Sequence, residues 1–351
     1  MKPLLTTLYL TIFTVFGLQA QIPHTIEKIN FDYEINSAMN IAIDNNGFFY
    51  VYDRNESTIL KLDEKGKLIK KIGSRGRGPG EFINVSLLLY NKDTDLLYAY
   101  DMPSFSIKEI TTDGEFLNQY DYPDKQMVNP FYGFIDNGSA YLVFYNTYGL
   151  NQNIVHKTDI KKGKTIESYF EYESMTKNKE AIMAHNFKGS PYGLHSLILE
   201  NNDIVLSNST NEGAFYIQNR EGKLKKISIP TFNINKSIKK INNPDSDKKY
   251  RKINDNYSEI YSFISGIAEI DSTILVFEQS NIDGGSFGYH RYSKIDYGYL
   301  GYYLINEIKI EKNNYNYINV YPQFNVIYKI NNNIFISKQS NDKFMLIKLK
   351  F

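Results

Sequence analysis

A pattern of four short strands occurs twice, with matching turns, between residues 38 and 120 of this chain. The first copy contains Gly47-Phe-Phe-Tyr-Val-Tyr-Asp53, and the second contains Leu96-Leu-Tyr-Ala-Tyr-Asp101. Alternating runs bounded by Gly, Asn and Asp are typical of antiparallel strands. A glycine-rich segment, Gly73-Ser-Arg-Gly-Arg-Gly-Pro-Gly-Glu-Phe82, joins the two copies. The repeat therefore predicts a fold that is built from small antiparallel sheets.

Weaker copies of this unit continue to the end of the chain. We predict six units, whose second strands begin at Phe48, Leu96, Ala140, Ile204, Ile274 and Ile334. Four-stranded repeats of roughly 40–50 residues are the pattern of a β-propeller. The wider spacing of the later units leaves room for insertions at Glu171–Pro191, Thr231–Tyr261 and Asn281–Gly298. We expect the second insertion to be a polar surface excursion that contains one short helix.

The last two units differ from the pattern. The fifth has predicted strands at Ile264–Ile270, Ile274–Glu278, Tyr299–Ile305 and Glu307–Ile310, and the sixth has only three predicted strands. A spare strand, His24–Phe31, precedes the first unit. A ring of blades must close, and pairing the first strand with the last blade removes an open edge. We therefore expect an all-β fold: a six-bladed β-propeller of four-stranded antiparallel blades, closed by the N-terminal strand completing the last blade.

The N-terminus has the composition of a secretory signal. Met1-Lys2 gives a positive start, Leu4–Gly17 is largely apolar, and Leu18-Gln-Ala20 fits a small-residue cleavage site. The apolar run is shorter than the roughly 20 residues that span a bilayer. We expect a signal peptide at residues 1–20 and one propeller domain at residues 21–351, with an uncleaved anchor as the alternative. The mature protein would be secreted to the periplasm or the cell surface, without a membrane span.

Charge and composition exclude several functional classes. With 40 basic and 39 acidic residues, the chain has no bulk attraction for nucleic acid. It has no cysteine, which excludes disulfides, thiol nucleophiles and cysteine-ligated metal. No pair of its five histidines has the spacing of a metal site. We therefore expect a monomer that needs no metal and no cofactor.

The motifs of the first two units resemble those of six-bladed β-propellers related to NHL repeats, in particular secreted bacterial members. The resemblance rests on Gly47–Asp53, on Asp63-Glu-Lys-Gly66 and on Gly73–Phe82. The last of these is similar to the family's blade junction, Gly-x-x-Gly-x-Gly-Pro-Gly-x-Phe. Beyond residue 120 the junction does not recur, and only the period of the strands continues. The resemblance implies the propeller fold but no particular activity, because the family is functionally mixed.

Candidate ligand-binding residues are loop arginines, one histidine and loop tyrosines. Arg75 and Arg77 lie on the glycine-rich junction, where two guanidinium groups could bind a carboxylate or a sulfate; solvated loop arginines are the alternative. His195 begins an inner strand and is a candidate catalytic base, or else a hydrogen-bonded channel histidine. Rings that could stack on sugars or anchor a partner, unless they pack between blades, are those of Tyr132, Tyr192, Tyr289 and Tyr292.

No convergent catalytic set is readable in these residues. The sequence therefore favours a non-catalytic binding module that recognises a glycan, a peptide or an envelope protein through loops on one face of a rigid scaffold. Two alternatives stay open. One is a lyase or hydrolase acting at the channel mouth with His195 and Arg75 or Arg77, and the other is a structural component of an envelope complex.

Overall fold

The structure is a computed structural model of the 351-residue chain. It describes residues 25–35, 38–122, 130–144, 153–171, 194–208, 214–230, 238–241, 251–253, 256–260, 262–280, 286–305, 324–330, 333–340 and 343–351. The expected signal peptide at residues 1–20 and the expected strand Glu307–Ile310 lie outside these residues. Among the described residues, no helix is long and apolar enough to cross a membrane.

The first half of the described chain forms one single strand and three four-stranded blades. Strand β1 covers Thr25–Ile29, and blade 1 consists of β2 (Ala38–Ile43), β3 (Phe49–Asp53), β4 (Thr58–Leu62) and β5 (Leu68–Ile72). Two short strands follow, β6 (Ser74–Arg75) and β7 (Glu81–Phe82). Blade 2 consists of β8 (Val85–Asn91), β9 (Leu96–Asp101), β10 (Ser106–Thr111) and β11 (Phe116–Asp121), with a 3-10 turn at Met102–Ser104. Blade 3 consists of β12 (Pro130–Asp136), β13 (Ser139–Phe144), β14 (Asn153–Asp159) and β15 (Lys164–Glu171).

The second half contains three blades and a small additional sheet. Blade 4 consists of β16 (Leu194–Ile198), β17 (Ile204–Asn208), β18 (Ala214–Gln218) and β19 (Leu224–Ser228). The small sheet has β20 (Ile238–Ile241), β21 (Arg251–Ile253) and β22 (Asn256–Ile260). Blade 5 consists of β23 (Ser262–Ile270), β24 (Thr273–Ser280), β25 (Ser286–Ser293) and β26 (Tyr299–Leu304). Blade 6 contains β27 (Phe324–Ile330), β28 (Asn333–Ser340) and β29 (Lys343–Lys350).

The inner strands of the six blades form a closed circle. β2 contacts β8, β8 contacts β12, and the series continues through β16 and β23 to β27, which returns to β2. β1 pairs antiparallel with β29, in the register Thr25↔Lys350 to Ile29↔Leu346, and so forms the outer strand of blade 6. The predicted all-β fold of six four-stranded antiparallel blades is therefore confirmed.

The apolar core lies between the blades. Each of six buried clusters joins one blade to the next, because alternate side chains of the two middle strands point to the two neighbouring blades. Between blades 6 and 1, for example, the rings of Phe49 and Phe335 meet edge to face with their centroids 5.7 Å apart. This arrangement buries both faces of each sheet and leaves the loops at the two ends of the strands free to vary.

One expectation for the later units was wrong, and another stays a prediction. The segment Asn281–Gly298 was expected to be an insertion, but it contains β25, the third strand of blade 5, and Tyr299–Leu304 is the fourth strand rather than the third. The described residues of Thr231–Tyr261 form the small three-stranded sheet. The rest of this insertion lies outside the described residues, so its expected short helix stays a prediction. In both places the turn-forming and polar residues have the composition of a loop, although the tertiary fold pairs these segments as strands.

Candidate functional site

The two ends of the propeller differ in the kind of loop they carry. In each blade the inner strand starts at the end where the connection from the preceding blade arrives. We call this end the junction face, and it also carries the links between second and third strands. The opposite end carries short turns, such as Asp63–Lys67, where the Asp63 carboxylate accepts hydrogen bonds from the backbone N–H groups of Lys65 and Lys67, each at 2.9 Å. The longer connections between the described strands, such as residues 73–84, therefore lie on the junction face, where binding residues are most often found.

The glycine-rich segment between blades 1 and 2 forms a compact loop on the junction face. β6 and β7 pair in parallel, and Gly76 N–H donates to the carbonyl oxygen of Phe82 at 3.1 Å. Gly73 has φ +77°, and a Cβ there would lie 2.6 Å from the carbonyl oxygen of Gly80 and would collide with the Phe82 ring. Glycine is therefore required at position 73 for both conformation and space.

A buried ion pair fixes the base of this loop. Lys108, on β10, is almost fully buried and its Nζ lies 3.3 Å from Asp101 Oδ2. Lys108 also donates to the carbonyl oxygen of Glu81, while Asp101 accepts hydrogen bonds from the backbone N–H groups of Ile83 at 3.2 Å and Asn84 at 2.9 Å. The pair thus ties the last residues of the loop to the third strand of blade 2.

The interior of the loop is already occupied by a side chain of the loop itself. Gly78 N–H donates to Glu81 Oε2 at 2.7 Å, and a Cβ at Gly76 would collide with the same carboxylate. Glycine-rich loops that bind phosphate do so with free backbone N–H groups. Here the N–H of Gly78 already donates to the carboxylate of Glu81, so this hydrogen bond stabilises the loop and does not bind a phosphate.

The loop presents Arg75 and Arg77 to solvent on this fixed base. Both side chains are exposed, and Arg75 Nε donates to Ser57 Oγ at 3.3 Å in the link between β3 and β4. Arg54, also exposed, lies in that same link. The neighbouring acid, Glu56, pairs with Lys71 at 2.7 Å. Within the described part of the chain, neither Arg75 nor Arg77 forms an ion pair with a carboxylate.

His195 and Tyr132 lie together on adjacent inner strands. His195 is buried near the start of β16, and Tyr132 is half-buried near the start of β12. Their rings meet edge to face with centroids 5.4 Å apart. Since the strands follow each other round the ring, His195 in blade 4 lies across the ring from blade 1. The structure therefore brings two of the predicted residues together but places Arg75 and Arg77 elsewhere.

Two predicted ligand-binding tyrosines are core residues. Tyr289 and Tyr292 lie on β25 and are fully buried, Tyr289 against blade 6 and Tyr292 against blade 4. Burial raises the pKa of both phenols, and Tyr292 donates to the carbonyl oxygen of Ser228 at 3.2 Å. Their assignment as exposed ligand-binding rings was wrong, because the segment that carries them is a middle strand. Tyr192 lies outside the described residues.

The other described histidines hold structural positions. His290, on β25, is buried and its Nε2 lies 2.8 Å from Glu278 Oε2. His156, on β14, contacts Ser168 Oγ at 2.9 Å and the carbonyl oxygen of Asn153 at 3.1 Å. Among the described residues, no group of three or more His, Asp or Glu side chains could hold a metal ion.

Sequence reasoning missed two buried charged groups on β10. Besides Lys108, Glu109 is buried and accepts hydrogen bonds from Tyr98 at 2.7 Å, Asn118 at 2.6 Å and Tyr120 at 2.9 Å. Burial alone would raise the pKa of Glu109, but these hydrogen bonds outweigh it and lower the pKa. The available signal was two adjacent charged residues, Lys108 and Glu109, in the middle of an otherwise uncharged third strand.

Comparison with known proteins agrees with this architecture. The family model of DUF5128, a 6-bladed beta-propeller, matches residues 30–192. The crystal structure of a DUF4221 family member from Bacteroides vulgatus ATCC 8482 is 11% identical, with a TM-score of 0.58 over 94% of this chain and 97% of that one. A protein of Bacteroides fragilis NCTC 9343, described as a candidate exported protein, is 14% identical, with a TM-score of 0.51 over 95% and 98%. The WD40 repeats of RRP9 are 11% identical, with a TM-score of 0.51 over 94% and 99%.

No curated protein matches the chain. At these low identities the structural likeness concerns the fold alone, and the relation to NHL repeats is tested by none of these comparisons. The circle of inner strands, the six inter-blade cores and the matching family description lead to one conclusion: the chain is a six-bladed β-propeller.

Proposed function

We infer that this propeller is an exported, non-catalytic binding module that recognises a glycan, a peptide or a protein through loops on its junction face. The observation that carries the proposal is the presentation of Arg75 and Arg77 on a loop whose base is fixed by the buried Lys108–Asp101 pair. Two guanidinium groups on a rigid loop can bind a carboxylate or a sulfate without first ordering the backbone.

The surroundings of the two arginines support an anionic ligand. Arg54 adds a third exposed cation in the adjoining link, and the nearby carboxylates of Glu56 and Glu81 are engaged by Lys71 and by Gly78 N–H. The candidate catalytic base, His195, lies in blade 4 beside Tyr132, away from the arginines. Export rests on the N-terminal sequence and agrees with the description of the Bacteroides fragilis protein.

The test is an array of neutral, carboxylated and sulfated glycans together with acidic peptides, probed with the purified chain. We expect binding to anionic members, and the double variant Arg75→Ala/Arg77→Ala should weaken it at least about tenfold, since a hydrogen bond to a charged group contributes about 1.5–3 kcal/mol. Lys65→Ala/Lys67→Ala removes the same charge from exposed residues on the opposite face and should leave binding unchanged.

Two results would contradict the proposal. Equal losses in both double variants would mean that the net charge of the chain, rather than the junction loop, attracts the ligand. An absence of binding on every array, together with a hydrolase or lyase activity of the purified chain, would replace the binding module by an enzyme.

A further inference from the structure

The outer strand of blade 5 differs from those of the other five blades. β5, β11, β15, β19 and β1 each contain at least one charged residue, such as Lys70 and Lys71 on β5 or Lys225 and Lys226 on β19. β26, Tyr-Leu-Gly-Tyr-Tyr-Leu, contains none. Charged side chains, lysine above all, are the usual protection of an edge strand against pairing with another chain. β26 lacks that protection.

The same strand exposes large apolar side chains. Tyr299, Leu300, Tyr302 and Leu304 are each more than a third exposed, up to 41% for Leu304, and we call these four residues the blade 5 rim. Ile295, 90% exposed, lies in the turn that leads into the strand. Within the part of the chain that the structure describes, no strand pairs with the outer edge of β26. The carbonyl oxygen of Leu300 accepts a hydrogen bond from Arg291 at 3.3 Å. The other edge groups of β26 have no strand partner among the described residues and lie beside an apolar surface.

The blade 5 rim is held in place from beneath. The ring of Tyr302 packs on His290 at 4.7 Å between centroids, and Tyr299 packs on Tyr292 at 5.4 Å. Tyr299, Tyr302 and Leu304 lie opposite Tyr292, His290 and Gly288 respectively, so they share one face of the sheet. A strand added to this edge would find pre-ordered apolar side chains at its alternate positions.

We propose that the blade 5 rim binds an extended, uncharged, apolar segment of a partner protein, which adds to blade 5 as a fifth strand. The size of the surface favours a short segment over a second copy of this chain. Four large side chains at about 40% exposure offer roughly 300–400 Å², whereas a stable dimer buries about 800 Å² on each partner. The absence of charge on β26 selects a partner segment that is itself uncharged, because a buried charge would be left unpaired.

The test uses a fluorescein-labelled peptide with alternating valine and tyrosine and no charge, titrated with the purified chain by fluorescence anisotropy. A second peptide of the same sequence carries N-methyl groups on the amides that would pair with β26. We expect the first to bind and the second to lose at least about tenfold in affinity, since main-chain hydrogen bonds supply the affinity of strand addition. Leu304→Lys should weaken binding to a similar degree.

Ile166→Lys is the matched control, because Ile166 is 51% exposed on β15, an outer strand that already carries charges. It should bind the peptide as the unmodified chain does. Equal binding of both peptides, or of the Leu304→Lys variant, would overturn the proposal, as would a failure of the first peptide to bind. Dimers in sedimentation that Leu304→Lys dissociates would assign the surface to a second copy. A large drop in the melting temperature of Leu304→Lys would show that another segment of this chain already covers it.

Discussion

Asp101→Asn is expected to destabilise the propeller much more than Asp53→Asn, although the two residues hold matching positions. Both end the second strand of a blade, both are buried, and both accept backbone hydrogen bonds, Asp53 from Asn55 at 2.8 Å and Asp101 from Asn84 at 2.9 Å. Only Asp101 faces a buried cation. In blade 1 the position that corresponds to Lys108 is held by Leu60, as the pairings Leu60↔Val51 and Lys108↔Ala99 show.

The magnitude follows from the geometry of the pair. At 3.3 Å and an effective dielectric constant of about 20, the attraction of Lys108 for Asp101 is about 5 kcal/mol. Removing one partner of a buried pair typically destabilises by about 3–5 kcal/mol, because the other charge stays buried without compensation. Asp53→Asn breaks no ion pair among the described residues and weakens only hydrogen bonds to a charged group, which costs about 1–3 kcal/mol. We therefore expect the Asp101 variant to lose at least about 2 kcal/mol more than the Asp53 variant.

Urea denaturation followed by circular dichroism measures this difference, since the chain has no tryptophan to serve as a fluorescent probe. The double variant Asp101→Asn/Lys108→Met should regain part of the lost stability, because it removes the uncompensated charge as well. If Asp101→Asn and Asp53→Asn unfold at the same urea concentration, the ion pair contributes nothing and the reasoning fails.

Three further predictions concern other parts of the fold. Glu109→Gln should lower the free energy of unfolding at neutral pH. The pKa of Glu109 is lowered in the fold, so the difference in stability between the variant and the unmodified chain should shrink as the pH falls below the usual pKa range of glutamate. Urea titrations of both proteins over a range of pH measure this difference. Gly73→Ala should destabilise by more than about 1 kcal/mol beyond Gly138→Ala, where φ is also positive but nothing lies within 4 Å of the added Cβ, as thermal melting can show. Deletion of residues 21–31 removes β1 from blade 6 and should abolish cooperative unfolding; a soluble, cooperative truncated chain would refute it.

The fold was predictable where the repeat was regular. In blades 1 and 2 the alternation of side chains, the aligned turns and the glycine-rich junction all indicated the same strands. The second strands begin at Phe49 and Leu96, within one residue of the expected Phe48 and Leu96. Local pattern and tertiary structure agree there because the second strand of each of these blades is apolar on both faces up to its final aspartate. When local pattern and tertiary packing agree in this way, the sequence alone predicts the strands correctly.

Blade 5 was predicted incorrectly for a physical reason. The run Ser286–Ser293 contains glycine, histidine and arginine, and it therefore has the composition of a loop. Gly288 is needed in this strand because a Cβ there would collide with Tyr302 and with the carbonyl oxygen of Tyr303, and His290 is balanced by Glu278. Both requirements arise from neighbours that lie more than ten residues away, so no local pattern could reveal them.

The candidate site was predictable only as a set of exposed residues. Arg75 and Arg77 were found because glycine-rich loops must lie at the surface. Their support was not found, because Lys108 and Asp101 reach the loop from the second and third strands of the next blade. The tyrosines of β25 were assigned wrongly for the same reason as the strand itself.

The buried pair also links the stability of blade 2 to the proposed binding function. Lys108 holds the carbonyl oxygen of Glu81 and Asp101 holds Ile83 N–H, so both charges act on the segment that follows the two arginines. If that segment becomes flexible, binding must first order it, and the free energy needed for this ordering lowers the affinity for the ligand. Asp101→Asn should therefore weaken anion binding under conditions where the variant remains folded, although Arg75 and Arg77 are unchanged. Asp53→Asn, which leaves this support intact, should bind as the unmodified chain does; equal binding by both variants would show that the loop keeps its shape without the ion pair.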